Sequence, residues 1–176
     1  MTDPFPAETD LFPTLGRWQP PRAWIGRLAE RAHLADWLTL DDSLSKALRA
    51  ACGGTFALRI HDRCRVALPP GAADLLDRPA GEEVAKREVF LQCDGADVVF
   101  ARSWIPDGVL ADPGEYPLGD RLFDPDSGLR RLRLEAAPVA GPEGETLWAR
   151  RSLHETQTGR LLVGEVFLPA MDSVCP

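Results

Sequence analysis

Alternation of apolar and polar residues dominates the chain beyond its first third. Side chains of an extended strand point to opposite faces in turn, so a period of two indicates a β-strand. Such runs, or short runs that are apolar throughout, predict strands over residues 55–66, 84–93, 97–106, 129–137, 146–156 and 160–169. Because short connections join several of these runs, we expect one antiparallel sheet.

The clearest connection joins the second and third predicted strands. Asp94-Gly95 separates them, and a turn of this composition favours a hairpin because both of its positions need positive φ. Helical segments are grouped mostly ahead of the strands. The pattern therefore indicates an α+β domain, in which helices pack on a single antiparallel β-sheet.

The front of the chain has a different character. Five prolines interrupt residues 1–22, so no long regular element is expected there. We predict a proline-rich tail that lies over the domain, pinned by Phe12 and Trp18. Residues 23–176 are expected to form a single domain, and helical spacing of apolar residues predicts its first helix over residues 23–34.

A second helix is expected from Asp42 up to the Gly53-Gly54 pair. Asp42 or Ser43 can cap it, since a short polar side chain accepts hydrogen bonds from the free amides of a first helical turn. Residues 72–81 are predicted to be a short helix or a loop. A further short helix is expected near residues 117–123.

Composition and charge narrow the classes of function. The 176 residues carry a formal net charge of −7, which argues against nucleic acid as a partner because a polyanion requires a basic surface. A small anionic ligand remains compatible with this charge. The first residues lack a basic start and an apolar segment, and no later run approaches the roughly 18 apolar residues of a membrane span. A cytoplasmic protein without a membrane span is expected.

The cysteines give no sign of a metal site. Cys52, Cys64, Cys93 and Cys175 show no C-x-x-C spacing, and the three histidines are scattered. Structural metal sites usually contain close ligand pairs, so no metal is expected. The cysteines are predicted to be reduced thiols that pack as small residues, because a chain of this length needs no disulfide framework.

Charged residues on apolar strand faces are the first candidates for chemistry. In the strand 84–93, Arg87 points to the same side as Val89 and Leu91. A guanidinium on an apolar face is costly unless an anion meets it. A bound anionic ligand, a structural salt bridge, or a position at the strand end that reaches water would each satisfy Arg87. The spacing leaves these alternatives open.

The last strand contains a second such residue. Both of its faces are apolar, which predicts a central strand that is covered on two sides. Between Leu161 and Leu168, Glu165 is the only ionisable residue. A buried carboxyl group either ionises beside a cation or stays protonated, and either form suits a ligand site. A structural ion pair with a neighbouring arginine is the alternative.

Three more arginines fit the same pattern less cleanly. Arg102 shares a strand face with Phe100 and Trp104, whereas Arg150 and Arg151 point to opposite faces of their strand. The planar fork of arginine binds a carboxylate through two hydrogen bonds. Inward-facing arginines together with one glutamate therefore suggest a cavity for a ligand with more than one carboxylate.

Six segments, taken in chain order, resemble the bacterial chorismate pyruvate-lyase family. They are WLTLDDSLS (37–45), REVFL (87–91), ARSWIP (101–106), PLGDRLF (117–123), LWARRS (147–152) and LLVGEVFLP (161–169). Each segment is weakly specific alone, but their order and spacing agree with the family over most of the chain. The resemblance implies an α+β fold with a ligand site sealed beneath helical flaps, no metal or cofactor, and a monomeric protein.

The resemblance also assigns site residues. Arg87 falls on the family arginine that holds the ring carboxylate of the ligand, and Glu165 falls on the glutamate that meets the hydroxyl group para to it. Leu44 and Leu118 match two further ligand contacts. Leu44 replaces the usual methionine, which matters little if the contact is made by the backbone amide. Ala149 stands where a glycine is common, so its strand is expected to pack slightly differently.

The implied activity is the conversion of chorismate to 4-hydroxybenzoate and pyruvate, a first step toward ubiquinone. In this interpretation Arg87 and Glu165 are catalytic, and Leu44 and Leu118 are further substrate contacts. The alternative is a domain that binds a molecule like 4-hydroxybenzoate without chemistry, as a related fold does in some transcription regulators. Such regulators normally carry a basic helix-turn-helix segment ahead of the domain, whereas the leading segment here is proline-rich and the chain is acidic.

Overall fold

The computed structural model describes residues 3–6, 10–28, 32–111, 114 and 116–174. These residues form one sheet of six antiparallel strands in the order β1-β2-β3-β6-β5-β4. The strands are β1 (Phe56–Ala67), β2 (Glu83–Cys93), β3 (Ala96–Ile105), β4 (Arg130–Ala140), β5 (Thr146–Glu155) and β6 (Arg160–Phe167). The predicted α+β class with a single antiparallel sheet is confirmed.

The β2–β3 hairpin and the central position of β6 were both predicted, and both are confirmed. Asp94 and Gly95 form the turn with φ values of 51° and 83°, which is the backbone conformation that a tight hairpin requires. β6 lies between β3 and β5. Its Leu161 and Leu162 point to opposite faces of the sheet and are both almost fully buried. Both faces of this strand are therefore covered.

The described α-helices are α1 (Ala32–Thr39), α2 (Leu44–Ala51), α3 (Pro70–Leu76) and α4 (Leu118–Leu122). Ser43 caps α2, because its side chain accepts a hydrogen bond from the backbone amide of Lys46. This confirms one of the two predicted caps. Among the described residues, no helix is both long and apolar enough to cross a membrane.

The helix predicted over residues 23–34 is wrong in form. A 3₁₀ helix covers Pro21–Arg27, with a proline in its first turn, and α1 begins only at Ala32. A proline there fixes φ in the helical range and has no amide to leave unbonded. The element therefore starts earlier than the apolar spacing indicates. Residues 29–31, inside the predicted helix, lie outside the described residues.

The two faces of the sheet carry separate cores. One face packs against the 3₁₀ helix, α1 and α2, with Trp37 and Leu48 almost fully buried. The other face is covered by α3 and by the N-terminal segment (residues 3–6 and 10–19), whose Phe5 and Phe12 are buried. The prediction that Phe12 pins this segment is confirmed. Trp18 packs against the same core and is partly buried.

Arg102 holds the N-terminal segment to the sheet. Its guanidinium donates to the carbonyl oxygens of Phe5 and Leu11 at 2.9 and 2.6 Å. It also forms salt bridges with Glu88 at 2.7 Å and with Asp3 at 2.6 Å. The Arg102 and Glu88 side chains are 2% and 1% exposed. A buried arginine in this position needs such partners, because an unpaired charge there would be strongly destabilising.

The prediction of reduced thiols is wrong for two cysteines. Cys52 and Cys93 form a disulfide bond, with their Cα atoms 5.4 Å apart. The bond links the residue after α2 to the last residue of β2. Packing of the helix end beside the hairpin creates this proximity between residues that are 41 positions apart, and sequence spacing does not reveal it. Cys64 is an exposed free thiol, and Cys175 lies outside the described residues.

Candidate functional site

A pocket lies on the sheet face that α2 and α4 cover, and it is termed the central pocket. Its lining residues are Leu44, Ser45, Leu58, Arg87, Val89, Leu91, Ala101, Ser103, Pro117, Leu118, Gly119, Leu122, Phe123, Arg131, Arg150, Ser152, Val163 and Glu165. The structure thus brings together all four residues predicted from the sequence: Leu44, Arg87, Leu118 and Glu165.

The register of the sheet explains why Arg87 and Glu165 line one pocket. Arg87 pairs with Ser103, which in turn pairs with Val163. Glu165 lies two residues further along β6 and therefore on the same face. Two strand spacings and two residues along the strand separate the Cα atoms of Arg87 and Glu165 by about 12 Å. Between them Ala101 and Val163 contribute a small apolar floor.

Arg87 is held at one side of this floor. The residue is 5% exposed, and its guanidinium donates to the carbonyl oxygen of Tyr116 at 2.9 Å. Tyr116 belongs to the loop that leads into α4. This contact fixes the direction of the guanidinium, and its fork geometry suits a carboxylate in the pocket.

Glu165 makes the ion pair that was considered as an alternative to a ligand contact. Its Oε2 accepts a hydrogen bond from Nε of Arg150 at 2.5 Å, and the two side chains are 13% and 3% exposed. Arg150 also donates to the carbonyl oxygens of Trp37 and Leu40 at 2.9 and 3.2 Å. Glu165 nevertheless lines the central pocket, so the ion pair positions the carboxylate and remains compatible with a ligand contact.

Arg102 does not belong to this site, which corrects the expectation that it faces the same cavity as the other inward-facing arginines; Arg87 and Arg150 do line one pocket. It lies on the opposite face of the sheet, where it binds Glu88 and the N-terminal segment. Arg151 points to that face too and pairs with Asp10 at 2.8 Å. Of the two adjacent arginines, Arg150 enters the pocket, because neighbouring side chains of a strand point to opposite faces.

Helices α2 and α4 are clasped together over the pocket. Oγ of Ser45 donates to Asp120 at 2.9 Å, and the Arg49 guanidinium donates to both carboxylate oxygens of Asp120 at 3.1 and 2.8 Å. Burial alone would raise the pKa of Asp120, but the hydrogen bonds from Arg49 and Ser45 hold it below its usual range. Leu44 and Leu118, which line the pocket, are the first residues of these two helices. The clasp therefore fixes the cover of the site.

Sequence reasoning missed Arg131, Ser103 and Ser152, which also line the pocket. A signal existed for Ser152, because it follows Arg150 by two residues on the same strand face. Arg131 gave no such signal. The pairing of β4 shifts register between Arg131 and Arg133, and a bulge changes the direction of the following side chains, so simple alternation does not assign their faces.

His154 lies next to Ser152 on the same face of β5. Its ring is fully buried, and Nε2 is 2.9 Å from Oγ of Ser152. Burial and the positive charges of Arg131 and Arg150 lower the pKa of His154 to about 4. The imidazole is therefore neutral near pH 7.

A family model and several similar proteins all point to the same family. A family model described as chorismate lyase matches residues 17–173. A protein from Azoarcus sp. (strain BH72), named "Probable chorismate pyruvate-lyase", is 35% identical, with 85% of this chain and 92% of that protein covered. A protein of the same name from Aromatoleum aromaticum is 36% identical, with 87% of this chain and 91% of that protein covered.

Solved structures show the same fold at low identity. The effector domain of PhnF from Mycobacterium smegmatis superposes with a TM-score of 0.54 and 13% identity, over 73% of this chain and 90% of that domain. A transcriptional regulator of the GntR family from Enterococcus faecalis gives a TM-score of 0.51 and 11% identity, over 65% and 95% of the two chains. At these identities the likeness concerns the fold alone.

Proposed function

The chain belongs to the chorismate lyase family, and on this premise we propose that it converts chorismate to 4-hydroxybenzoate and pyruvate. The observation that carries the proposal is the shared pocket of Arg87 and Glu165. A buried guanidinium and a carboxylate stand on opposite sides of an apolar floor. This arrangement is complementary to a six-membered ring with a carboxylate at one end and a hydroxyl group at the other.

Arg87 binds the ring carboxylate in this proposal, and Glu165 accepts a hydrogen bond from the hydroxyl on ring carbon C4. Leu44 and Leu118 each begin a helix over the pocket, where backbone amides have no acceptor within the helix. Those amides are suited to donate to the same ring carboxylate. Such contacts do not depend on the side chain, so leucine in place of methionine at position 44 is compatible with binding.

Orientation is the main task that this chemistry leaves to the protein. The hydrogen on C4 transfers to the methylene carbon of the enolpyruvyl group while the C3–O bond breaks. The methylene becomes the methyl group of pyruvate, the ether oxygen becomes its keto oxygen, and the new C3–C4 double bond makes the ring aromatic. Aromatisation drives the reaction, and the balanced step needs no further reactant. Holding the ring at both ends selects the conformer in which the ether can leave.

Turnover of chorismate by the purified protein tests the proposal. One molecule each of 4-hydroxybenzoate and pyruvate should form for each chorismate consumed, measured by absorbance and by chromatography. Arg87→Ala should lower kcat/KM by about 100-fold or more, since it removes a charged partner of the substrate in a buried site. Arg59→Ala is the matched control, because Arg59 is an exposed arginine on β1 that pairs with Asp97. Substantial turnover by Arg87→Ala would remove this arginine from the mechanism.

The same assay separates an enzyme from a domain that only binds. Protein that binds 4-hydroxybenzoate but leaves chorismate unchanged would be a sensor or an inactive relative, and the lyase proposal would be wrong. Cytoplasmic location, a monomeric state and delivery of the product to ubiquinone biosynthesis are part of the proposal and are supported by the family resemblance. Loss of ubiquinone in a deletion strain, restored by added 4-hydroxybenzoate, is the result expected for the pathway role.

A further inference from the structure

The central pocket extends past Glu165 toward β4 and β5, where a third arginine, after Arg87 and Arg150, lines it. The Arg131 side chain lines the pocket and is 13% exposed. Burial lowers the pKa of Arg131, and the positive charge of nearby Arg150 lowers it further. Its ion-pair partner is Asp41, whose side chain is 93% exposed. Arg131 therefore stands at the boundary of the pocket, with a carboxylate on its solvent side.

Ser152 lies at the same end of the pocket, and His154 lies beside it on the same face of β5. Ser152 on β5 pairs with Val163 on β6, and Ser152 is 7% exposed. Nε2 of His154 contacts its Oγ at 2.9 Å. The other ring nitrogen of His154, Nδ1, is buried and has no hydrogen-bond partner among the described residues.

This geometry selects one tautomer of His154. A buried N–H without an acceptor costs more than a buried lone pair without a donor, because donor groups are more rarely left unpaired in proteins. The proton therefore belongs on Nε2, which donates to Oγ of Ser152. The hydroxyl hydrogen of Ser152 is then available to donate to an oxygen in the central pocket.

We propose that Arg131 and Ser152 bind the carboxylate of the enolpyruvyl group, with His154 orienting the Ser152 hydroxyl. The proposal rests on the proposed lyase function and specifies its substrate contacts. Arg131 would be a specificity-determining residue that touches substrate, and His154 would be a positioning residue that acts through Ser152.

The position of this subsite fits the chemistry of chorismate. The ring carboxylate occupies the Arg87 side of the pocket, and the C4 hydroxyl lies at Glu165. The enolpyruvyl ether is attached to C3, next to C4, so its carboxylate must lie near Glu165 and away from Arg87. Arg131 lines the same pocket as Glu165 and Arg150, so it lies in this neighbourhood. Arg150 is already bonded to Glu165, so Arg131 is the arginine suited to the second carboxylate.

Arg131→Gln tests the subsite because substrate and product differ in the second carboxylate. The KM for chorismate should rise about 10- to 100-fold, the range expected for loss of a charged hydrogen-bonded contact. The kcat should change less, because the contact is present in both the ground and transition states. The Kd for 4-hydroxybenzoate, which has no enolpyruvyl carboxylate, should stay within about threefold of wild type. Unchanged product binding also shows that the pocket is folded.

Two control variants separate this role from others. Arg133→Gln removes a half-exposed arginine from the same strand, and Asp41→Asn removes the solvent-side partner of Arg131. Both should leave the KM for chorismate near wild type. Equal weakening of chorismate and 4-hydroxybenzoate in Arg131→Gln, or an effect matched by Asp41→Asn, would overturn the subsite. If Arg131→Gln does not fold, Arg131→Met provides the same comparison, because it also removes the charge.

Ser152 and His154 are tested by rescue. Ser152→Ala and His154→Leu should each raise the KM for chorismate about 5- to 20-fold, since each removes the oriented hydroxyl donor. His154→Gln should keep the KM close to that of wild type, because the glutamine amide can donate to Ser152. In the Ser152→Ala background, His154→Leu should raise the KM for chorismate no further. Independent effects would overturn the positioning role. An active wild type with unaffected variants refutes this inference alone, whereas a wild type that releases no 4-hydroxybenzoate refutes the proposed function.

Discussion

Replacement of Arg150 by methionine probes the ion pair that positions Glu165. Methionine has similar length but no charge, so the variant leaves the Glu165 carboxylate without its partner in a site where the two side chains are 13% and 3% exposed. The carbonyl oxygens of Trp37 and Leu40 also lose their donor. Breaking a buried pair from one side costs about 3–5 kcal/mol, a large part of the total stability of about 5–15 kcal/mol that a domain has.

Urea unfolding followed by tryptophan fluorescence at pH 7 measures this loss. The double variant Arg150→Met with Glu165→Gln provides the decisive comparison, because a neutral amide needs no counter-charge. In the Glu165→Gln background, Arg150→Met should cost about 2 kcal/mol less than in wild type, a coupling in the range of contacting residues. If the loss of unfolding free energy in the double variant equals the sum of the two single-variant losses within about 0.5 kcal/mol, the ion pair does not hold Glu165.

Three further predictions concern the elements around the pocket. Phe12→Ala should lower the free energy of unfolding by about 3–5 kcal/mol, because it removes a fully packed ring. A loss below about 1 kcal/mol in urea titrations would show that Phe12 does not anchor the N-terminal segment. Gly119→Ala places a Cβ 2.8 Å from Oγ of Ser45 and 3.0 Å from Oγ of Ser43, so kcat/KM should fall several-fold. Ser45→Ala should partly restore it, because it removes the closer of the two oxygens; failure to restore activity would contradict the close packing of Gly119 on Ser45. The pKa of His154 is about 4 in the folded protein and near 6.5 in the unfolded chain. Between these pH values the unfolded state binds more protons, so the free energy of unfolding should fall by roughly 3 kcal/mol as pH drops from 6.5 to 4. His154→Leu should remove that part of the pH dependence, and an unchanged pH profile in this variant would assign it to other groups.

Much of the sheet could be predicted from the sequence because its signals are local. Alternation gives the strands, and Asp94-Gly95 gives the hairpin through the φ values that its turn requires. The two charged residues on apolar faces, Arg87 and Glu165, are likewise visible in single strands. Their convergence was implied by the family resemblance and is found in the central pocket; their catalytic roles stay a proposal.

The features that escaped prediction depend on which elements meet in space. Alternation grouped Arg102 with apolar neighbours but could not tell that the N-terminal segment supplies its partners on the far face of the sheet. The disulfide between Cys52 and Cys93 joins a helix end to a strand end, a contact set by packing. Arg131 lies next to a register shift in β4, where the period of two no longer assigns faces.

A crystal structure of the protein with 4-hydroxybenzoate would show directly whether Arg87 and Glu165 bind the two ends of the ligand. We expect the ring between β2 and β6, with its carboxylate hydrogen-bonded to the Arg87 guanidinium and its hydroxyl group to Glu165. A ligand bound in the reverse orientation, or bound elsewhere while these two side chains keep only protein contacts, would contradict it.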